Sequence, residues 1–239
     1  MGHCLFLRKG EVHTAPVTGV LASSLAVGST VKLMEDGTAV EYLVVNQGIP
    51  SNSSLYDASC DGTWLLRKDC HSRRQWNTTT VNTYANSAIN TWLNGDFFNS
   101  LGSVEQSAIK QVKVPYCPGN KSTSAKTGAN GLNTKAFLLS LREIGSASGY
   151  SPDEGATIEI FSGSSGDSYK YPYLDGSKVA WFTRTPYTSS NGADAVVTIP
   201  VNGVFSITSV MSTSGIRPAL IVPSNALFDE TTMLLKGVK

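Results

Sequence analysis

Alternating apolar and polar residues predict β-structure over much of this chain. Residues 27–48 contain two alternating runs joined across Asp36-Gly37, and an Asp-Gly pair between such runs is typical of a β-hairpin. Near the end of the sequence, apolar-rich runs predict three more strands, at residues 178–186, 193–207 and 215–222.

Helical periodicity occurs at two places. Residues 84–93 collect apolar side chains on one face, and Gly95 is predicted to end that helix. Residues 103–112 carry a second apolar stripe, which predicts another helix. Between these elements, stretches rich in Ser, Gly and Asn predict long loops, at residues 115–133 and 147–176 among others. The pattern therefore predicts an α+β fold, a β-rich domain with two helices and long loops.

Length and charge narrow the function classes. The 239 residues are enough for one large domain, and the formal net charge of +1 lacks the basic excess of a nucleic-acid-binding surface. No apolar run approaches the roughly 20 residues that a membrane span needs. Near the start, Arg8, Lys9 and Glu11 interrupt any apolar leader. We therefore expect no nucleic-acid partner, no membrane partner and no cleaved leader.

The cysteines do not form a recognisable chemical motif. Cys4, Cys60, Cys70 and Cys117 are irregularly spaced without a CxxC pair, so we expect independent thiols and predict neither a metal site nor a cofactor. A bridge between Cys60 and Cys70 stays open. His71 follows Cys70 directly, and neighbours in an extended segment point to opposite sides, so this pair is not predicted to be a catalytic dyad.

Two late strands each contain an arginine in apolar surroundings. Arg184 stands three residues after Trp181, and Arg217 directly precedes Pro218. A buried guanidinium is costly unless its donors are paired. We therefore interpret Trp181, Arg184 and Arg217 as structural residues, with the two arginines tying long loops to the sheet. An anion-binding role for the arginines stays open.

Four motifs in order carry a resemblance to a known family. They are YANSAINTWLN at residues 84–94, KAFLLSLREIG at 135–145, WFTRTP at 181–186 and SGIRPALIV at 214–222. Together they resemble a domain of unknown function that recurs in phage and surface proteins of Gram-positive bacteria, over residues 25–224. The late Trp–Arg strand and the final RPA strand resemble the formylglycine-generating-enzyme branch of the C-type-lectin-like fold.

The resemblance implies a compact scaffold that displays variable loops for binding receptors or glycans, or for decorating a particle. Residues 1–16 also resemble the start of small virion-associated proteins with this domain. Catalytic members of the wider fold bind copper through a late cysteine pair, and no cysteine follows Cys117 here. The Glu-Pro-Asn and Trp-Asn-Asp sequences of calcium-dependent lectins are also missing. No cofactor is therefore implied.

Aromatic and polar residues on the late loops are the ligand-binding candidates, because tyrosine offers rigid contact area with a polar end. One set lies between two predicted strands, and a second set alternates in the sequence YKYPY. These candidates are Tyr187, Asn191 and Asp194 in the first set, and Tyr169, Tyr171 and Tyr173 in the second.

A polysaccharide-acting enzyme is the alternative from another class. Such an enzyme needs two carboxylates facing each other across a cleft. The loop acids available for this are Asp153, Glu154, Asp167 and Asp175. Acids in flexible loops are more often solvated than catalytic, so no catalytic residue is assigned.

The sequence therefore predicts an N-terminal arm at residues 1–22, a C-type-lectin-like domain at 23–225 and a C-terminal tail at 226–239. The hypothesis is a non-enzymatic phage virion or surface protein, made in the host cytoplasm and located in the virion. It is either a tail-associated adhesin for a host cell-surface glycan or protein, or a capsid or tail decoration protein. Apolar residues in the arm and tail predict a homo-oligomer and docking of the arm on other virion proteins.

Overall fold

The computed structural model describes residues 18–147, 152–163, 168–189, 192–202 and 205–239. Within these ranges the chain is β-rich, its strands form several sheets, and α-helices occur at two places, besides short 3₁₀ helices. The predicted α+β class is confirmed at this level. None of the described helices is long and apolar enough to cross a membrane.

The strands are short and are numbered in chain order. They are β1 Val20–Leu21, β2 Thr30–Glu35, β3 Thr38–Gln47, β4 Thr63–Arg67, β5 Ser72–Gln75, β6 Val112–Val114, β7 Leu132–Thr134, β8 Ala136–Phe137, β9 Tyr173–Leu174, β10 Ser177–Lys178, β11 Trp181–Pro186, β12 Ala195–Ile199, β13 Ser206–Ser209, β14 Thr213–Ile216, β15 Ala219–Val222, β16 Ala226–Phe228 and β17 Leu235–Val238.

A first five-stranded sheet has the antiparallel order β2–β3–β4–β15–β8. Its β2–β3 hairpin turns at Asp36 and Gly37, whose φ angles of 46° and 77° are the left-handed values that a type I′ turn needs. The predicted hairpin is confirmed. In β15, Leu220 lies in a first hydrophobic cluster, and Ile221 lies in a second hydrophobic cluster on the opposite face. This sheet is therefore covered on both faces, which explains the continuous apolar run of β15.

A second five-stranded sheet has the order β13–β12–β11–β14–β5. Strands β11 and β14 are parallel, and the other neighbours are antiparallel. The prediction of one strand over 193–207 is wrong, because this stretch is divided between β12 and β13. Pro200 follows β12 directly and has no N–H to donate to a ladder.

The two ends of the described chain meet in a third sheet, of order β1–β16–β17. Phe228 and Leu235 are buried there and join the first hydrophobic cluster. Residues 226–239, predicted as a tail, thus pack on the domain, and so does β1 from the predicted arm. The domain boundaries at 22 and 225 stay predictions, and residues 1–17 lie outside the described ranges.

The first helical stretch, called the 88–100 helix below, is continuous but irregular. It comprises α1 at Ala88–Trp92, a π-helical segment at Leu93–Phe97 and α2 at Phe98–Ser100. The predicted end at Gly95 is wrong, because Gly95 does not take the left-handed conformation that ends a helix. The helical path instead carries Phe97 and Phe98 into the core. The second helix, α3 at Ser103–Ala108, ends earlier than predicted.

Candidate functional site

A surface groove runs between strand β5 and helix α1. Its main hollow measures about 580 Å³, and an adjoining hollow of about 410 Å³ extends it along β5. The two hollows share four lining residues, so they form one depression, called the Trp92 groove. The shared residues are Arg74, Thr78, Ala88 and Trp92, and the main hollow adds Asn77, Thr79, Asn86, Thr91, Gly95 and Asp96.

Trp92 forms the inner wall of this groove and is held by its neighbours. The Arg74 guanidinium carbon lies 4.0 Å from the centre of the indole ring, which is cation–π geometry. From the protein side, the rings of His71 and Phe97 approach to centroid distances of 5.1 and 5.5 Å. Because only 9% of Trp92 is exposed, the Arg74 side chain forms much of the surface that a ligand would meet.

His71 supports Trp92 as a neutral ring. Burial lowers the pKa of its imidazole, and Arg67 and Arg74 add to this while Glu35 opposes it. Its Nδ1 atom lies 3.1 Å from the Ser72 hydroxyl oxygen. The imidazole therefore packs behind the groove as an uncharged aromatic group at neutral pH.

The loop that closes the groove is organised by Asn77. The side-chain oxygen of this buried residue accepts hydrogen bonds from the backbone amides of Thr78 and Ala88, at 3.0 and 3.2 Å. Its side-chain nitrogen donates to the Val81 carbonyl at 2.8 Å. One amide side chain thus joins the loop to the first residue of α1, so the groove is formed before any ligand binds.

A second depression, of about 570 Å³, lies on the other side of the 88–100 helix and is called the Phe98 groove. Lys135 Nζ lies 4.5 Å from the centre of the Phe98 ring. Asn94 joins the 88–100 helix to residues 135 and 136. Its Oδ1 accepts from the backbone amides of Lys135 and Ala136 at 2.9 and 3.2 Å, and its Nδ2 donates to the Ala136 carbonyl at 3.0 Å.

The first set of sequence candidates is placed on the loop between β11 and β12. Tyr187 is partly buried and packs against Gly192, where an added Cβ would lie 2.3 Å from the tyrosine ring. Asp194 is exposed, and Asn191 lies outside the described residues. Asn82, which sequence reasoning missed, is fully buried beneath this loop and donates to the carbonyls of Tyr187, Gly192 and Ala195 at 2.8–3.0 Å.

The second set of candidates is distributed differently. Tyr169 is partly buried against the second hydrophobic cluster. Tyr171 lies beneath Lys178, with 4.9 Å between the ammonium nitrogen and the ring centre. Tyr173 is 44% exposed. The three tyrosines therefore do not share one exposed face.

The two candidate sets lie at opposite ends of β11. The Trp181 indole at the start of β11 donates to the Lys170 carbonyl at 3.0 Å, and Tyr187 directly follows Pro186 at the end of β11. Five residue steps of β-strand separate Trp181 from Pro186, about 17 Å at the usual rise. A single small ligand would not contact both sets.

Arg184 is the centre of a fully buried polar network. Its guanidinium makes a bidentate ion pair with Glu143, at 2.6 and 2.8 Å. It also donates to the carbonyls of Pro115, Leu138 and Glu154, at 2.9, 2.8 and 3.0 Å. Arg184 thus joins three separate backbone segments to β11, and it has no exposed atom with which to contact a ligand.

Glu154 lies beside this network, and no described cation forms an ion pair with its carboxylate. One carboxylate oxygen accepts from the Cys117 amide, and the other has no hydrogen-bond partner among the described residues. Burial raises the pKa of Glu154 to about 7, although the positive charge of Arg184 opposes the rise. The geometry and this pKa indicate that the Glu154 carboxyl is largely protonated below neutral pH.

Arg217 is equally buried but has a different environment. It donates to the carbonyls of Arg67 and Tyr169 at 2.8 and 2.6 Å, and its guanidinium lies 5.2 Å from the centre of the Trp181 ring. Burial lowers the pKa of Arg217 to about 10. Arg217 therefore links β4 to the loop at residue 169, again away from solvent.

The residues weighed for catalysis do not come together. Cys70 packs in the second hydrophobic cluster, whereas His71 turns toward Trp92 on the other side. Of the acids, Glu154 is fully buried, Asp153 pairs at the surface with Arg142 at 2.7 Å, and Asp175 lies in the β9–β10 turn. Asp167 lies outside the described residues. No cluster of three His, Cys, Asp or Glu side chains suited to a metal ion occurs in the described ranges.

Comparison with known families gives one match. Residues 61–224 match the family described as Domain of unknown function (DUF6273). The chain belongs to this family. The prediction of a domain of unknown function is confirmed, over a shorter range than the expected 25–224. No curated protein and no solved structure matches the chain.

The lining of both grooves falls inside the DUF6273 region, but sequence reasoning did not select it. The sequence RRQWNTTT at residues 73–80 places two arginines beside a run of amide and hydroxyl groups. Gly95, further along the chain, interrupts a helical pattern, which is a second clue. Both features were visible in the sequence, whereas their proximity to residues 133–135 depends on the fold.

Proposed function

We propose that this chain is a non-enzymatic phage virion or surface protein with a C-type-lectin-like domain, and that it acts as a tail-associated adhesin for a host cell-surface glycan. The phage and lectin-like parts of the proposal rest on the four sequence motifs. The observation that carries the binding role is the Trp92 groove, with its stacked Arg74–Trp92 platform beneath a rim of amide and hydroxyl groups.

The chemistry of the groove suits a carbohydrate. Sugars present many hydroxyl groups, which pair with amide, hydroxyl and guanidinium side chains, together with apolar C–H faces that pack on flat groups. The Trp92 groove supplies hydroxyls from Thr78, Thr79 and Thr91, and an amide from Asn86. The flat guanidinium of Arg74 has several donors in fixed positions. Preformed concave sites with a few convergent polar groups are typical ligand sites.

Carboxylate placement favours binding over hydrolysis. Glycosidases use two carboxyl groups about 5–9.5 Å apart across the scissile bond. Among the described residues, Asp96 is the one acid that lines the main hollow of the Trp92 groove. Glu143 and Glu154 lie close together in the Arg184 network, but they are fully buried and meet no solvent.

Attachment to intact cells tests the proposal. The labelled protein is mixed with a panel of Gram-positive bacteria, and Thr91→Glu is compared with Asn99→Glu. Both positions are exposed on the 88–100 helix, but only Thr91 lines the groove. We expect saturable binding that falls at least tenfold in T91E and is retained in N99E, with both variants melting like the wild type. Equal binding by T91E would place the site elsewhere, and no binding by the folded wild type would refute the adhesin.

A separate surface favours the second candidate, a decoration protein. Strand β17 is an edge strand, and beside α3 it lines a hollow of about 370 Å³ with the exposed side chains of Val104 and Val238. An unpaired strand edge next to apolar side chains is suited to another protein. If this candidate is right, Val104→Glu removes binding to other virion proteins, and T91E has no effect on particle assembly.

A further inference from the structure

Gly95 occupies a position where the fold does not need a glycine. It lies inside the 88–100 helix without a positive φ angle, and a Cβ added to it would have no atom within 4 Å. A glycine inside a helix lowers stability relative to alanine. Neither the backbone nor the packing of the described residues therefore accounts for Gly95.

The place of Gly95 on the surface offers a reason. Gly95 and Thr91 line both the Trp92 groove and the Phe98 groove, so they form the crossing between them. Because residue 95 has no side chain, nothing from this residue stands between the two grooves, and the space above it is open. Gly95 also lies in the π-helical segment, and such irregular turns occur frequently at functional sites.

The two grooves share a chemical character. Each has a cation stacked on an aromatic ring, Arg74 on Trp92 and Lys135 on Phe98. Arg73 extends the positive charge along β5, and Asp96 is the one acid among the residues that line these hollows. No described carboxylate lies within ion-pair distance of Arg73, Arg74 or Lys135. Three cations against one acid favour an anionic ligand.

We propose that the two grooves form one site for a linear anionic polysaccharide, which crosses the 88–100 helix over Gly95. Trp92 and Phe98 are six residues apart, about 9 Å of helical rise. A ligand that reaches both stacked cations is therefore longer than one sugar ring. The negative groups of the polymer, carboxylates or phosphates, lie against Arg74 and Lys135. This inference rests on the proposed function and names the class of glycan.

Calorimetric titration with three polymers tests the ligand class. Polygalacturonate carries carboxylates, linear poly(N-acetylglucosamine 1-phosphate) carries phosphates, and dextran is neutral. We expect binding to at least one of the charged polymers, a loss of affinity with rising salt and no binding to dextran. Binding to the carboxylate or to the phosphate polymer alone identifies the source of the negative charge. Binding to neither charged polymer, or equally to dextran, overturns the proposal.

Three substitutions test the crossing. Gly95→Ala is expected to raise the melting temperature while weakening polymer binding at least fivefold, and Asn99→Ala on the same helix leaves binding unchanged. Arg74→Ala and Lys135→Ala are each expected to weaken binding of the same polymer, because one ligand contacts both side chains. Unchanged affinity in G95A, or an effect of only one of the two cation substitutions, overturns the single continuous site.

The two proposals fail in different ways. If T91E abolishes cell attachment while G95A and added salt have no effect, the groove is a glycan site but the crossing anionic polymer is wrong. If T91E binds cells like the wild type, the adhesin site itself is wrong.

Discussion

Glu154 gives the sharpest stability prediction. Its carboxyl is fully buried, and one oxygen has no hydrogen-bond partner among the described residues. The nearby charge of Arg184 is already balanced by a bidentate pair with Glu143. An ionised Glu154 therefore adds an uncompensated negative charge to the core. Glu154→Gln keeps the size of the side chain and removes that charge.

The size of the effect follows from the pKa. Burial raises the pKa of Glu154 from 4.5 to about 7, so the folded protein keeps a proton that the unfolded chain releases above pH 4.5. The contribution of Glu154 to stability is therefore greatest below pH 4.5 and falls as the pH rises through the folded pKa. This pKa rise, from 4.5 to about 7, corresponds to about 3 kcal/mol of stability at 1.36 kcal/mol per pKa unit. Glu154→Gln removes this loss.

Urea unfolding at a series of pH values from 4 to 8.5 measures the prediction. The free energy of unfolding of E154Q minus that of the wild type is expected to increase by about 3 kcal/mol over this range, levelling above pH 7. Asp153→Asn removes the adjacent exposed carboxylate and serves as the control, with no comparable trend. The difference also cancels the contribution of His71, which both proteins share. If the difference in free energy of unfolding between E154Q and the wild type does not change with pH, the assignment of Glu154 as a buried, protonated acid is refuted.

Two further predictions concern the core. Arg184→Met leaves Glu143 buried without its partner and should lower the free energy of unfolding by about 3–5 kcal/mol. Arg142→Met, which breaks the surface pair with Asp153, should lower it by less than about 1 kcal/mol. Equal losses for the two variants in urea unfolding would contradict the role of Arg184 in the buried network. Burial raises the pKa of Cys60 and Cys70 to about 12 and that of Cys117 to about 11. These three thiols should therefore not react with a disulfide reagent at pH 8 until the protein unfolds, as measured in a Cys4→Ser variant. Rapid reaction of a folded thiol would contradict their burial.

Local patterns predicted the fold class well and the element ends less well. The Asp36-Gly37 hairpin followed from turn chemistry, because only a few residue pairs adopt both left-handed angles. The end of the first helix was predicted wrongly at Gly95, because a glycine after a helical run usually ends the helix. Here the helix continues past Gly95, and Phe97 and Phe98 are buried as a result. The run at 193–207 was predicted as one strand because apolar periodicity does not show where a hairpin turns back.

The candidate site was harder to predict because it is assembled from distant segments. Residues from β5, the 88–100 helix and β7 meet only after the sheets form, and no local pattern reports that meeting. The loop tyrosines were chosen on composition, which does not distinguish a ring packed on its own loop, such as Tyr187 on Gly192, from one that faces solvent. Arg184 was identifiable as a buried charge, but its partner Glu143 lies 41 residues earlier in the chain.

Amide hydrogen exchange with and without bound polysaccharide shows which surface holds the ligand. We expect the charged polymer to slow exchange at residues 72–79 and 88–96, on both sides of the Trp92 groove, and to leave residues 169–173 and 187–195 unchanged. Protection confined to residues 169–173 and 187–195 would exclude the Trp92 groove as the binding site and return the binding role to the tyrosines.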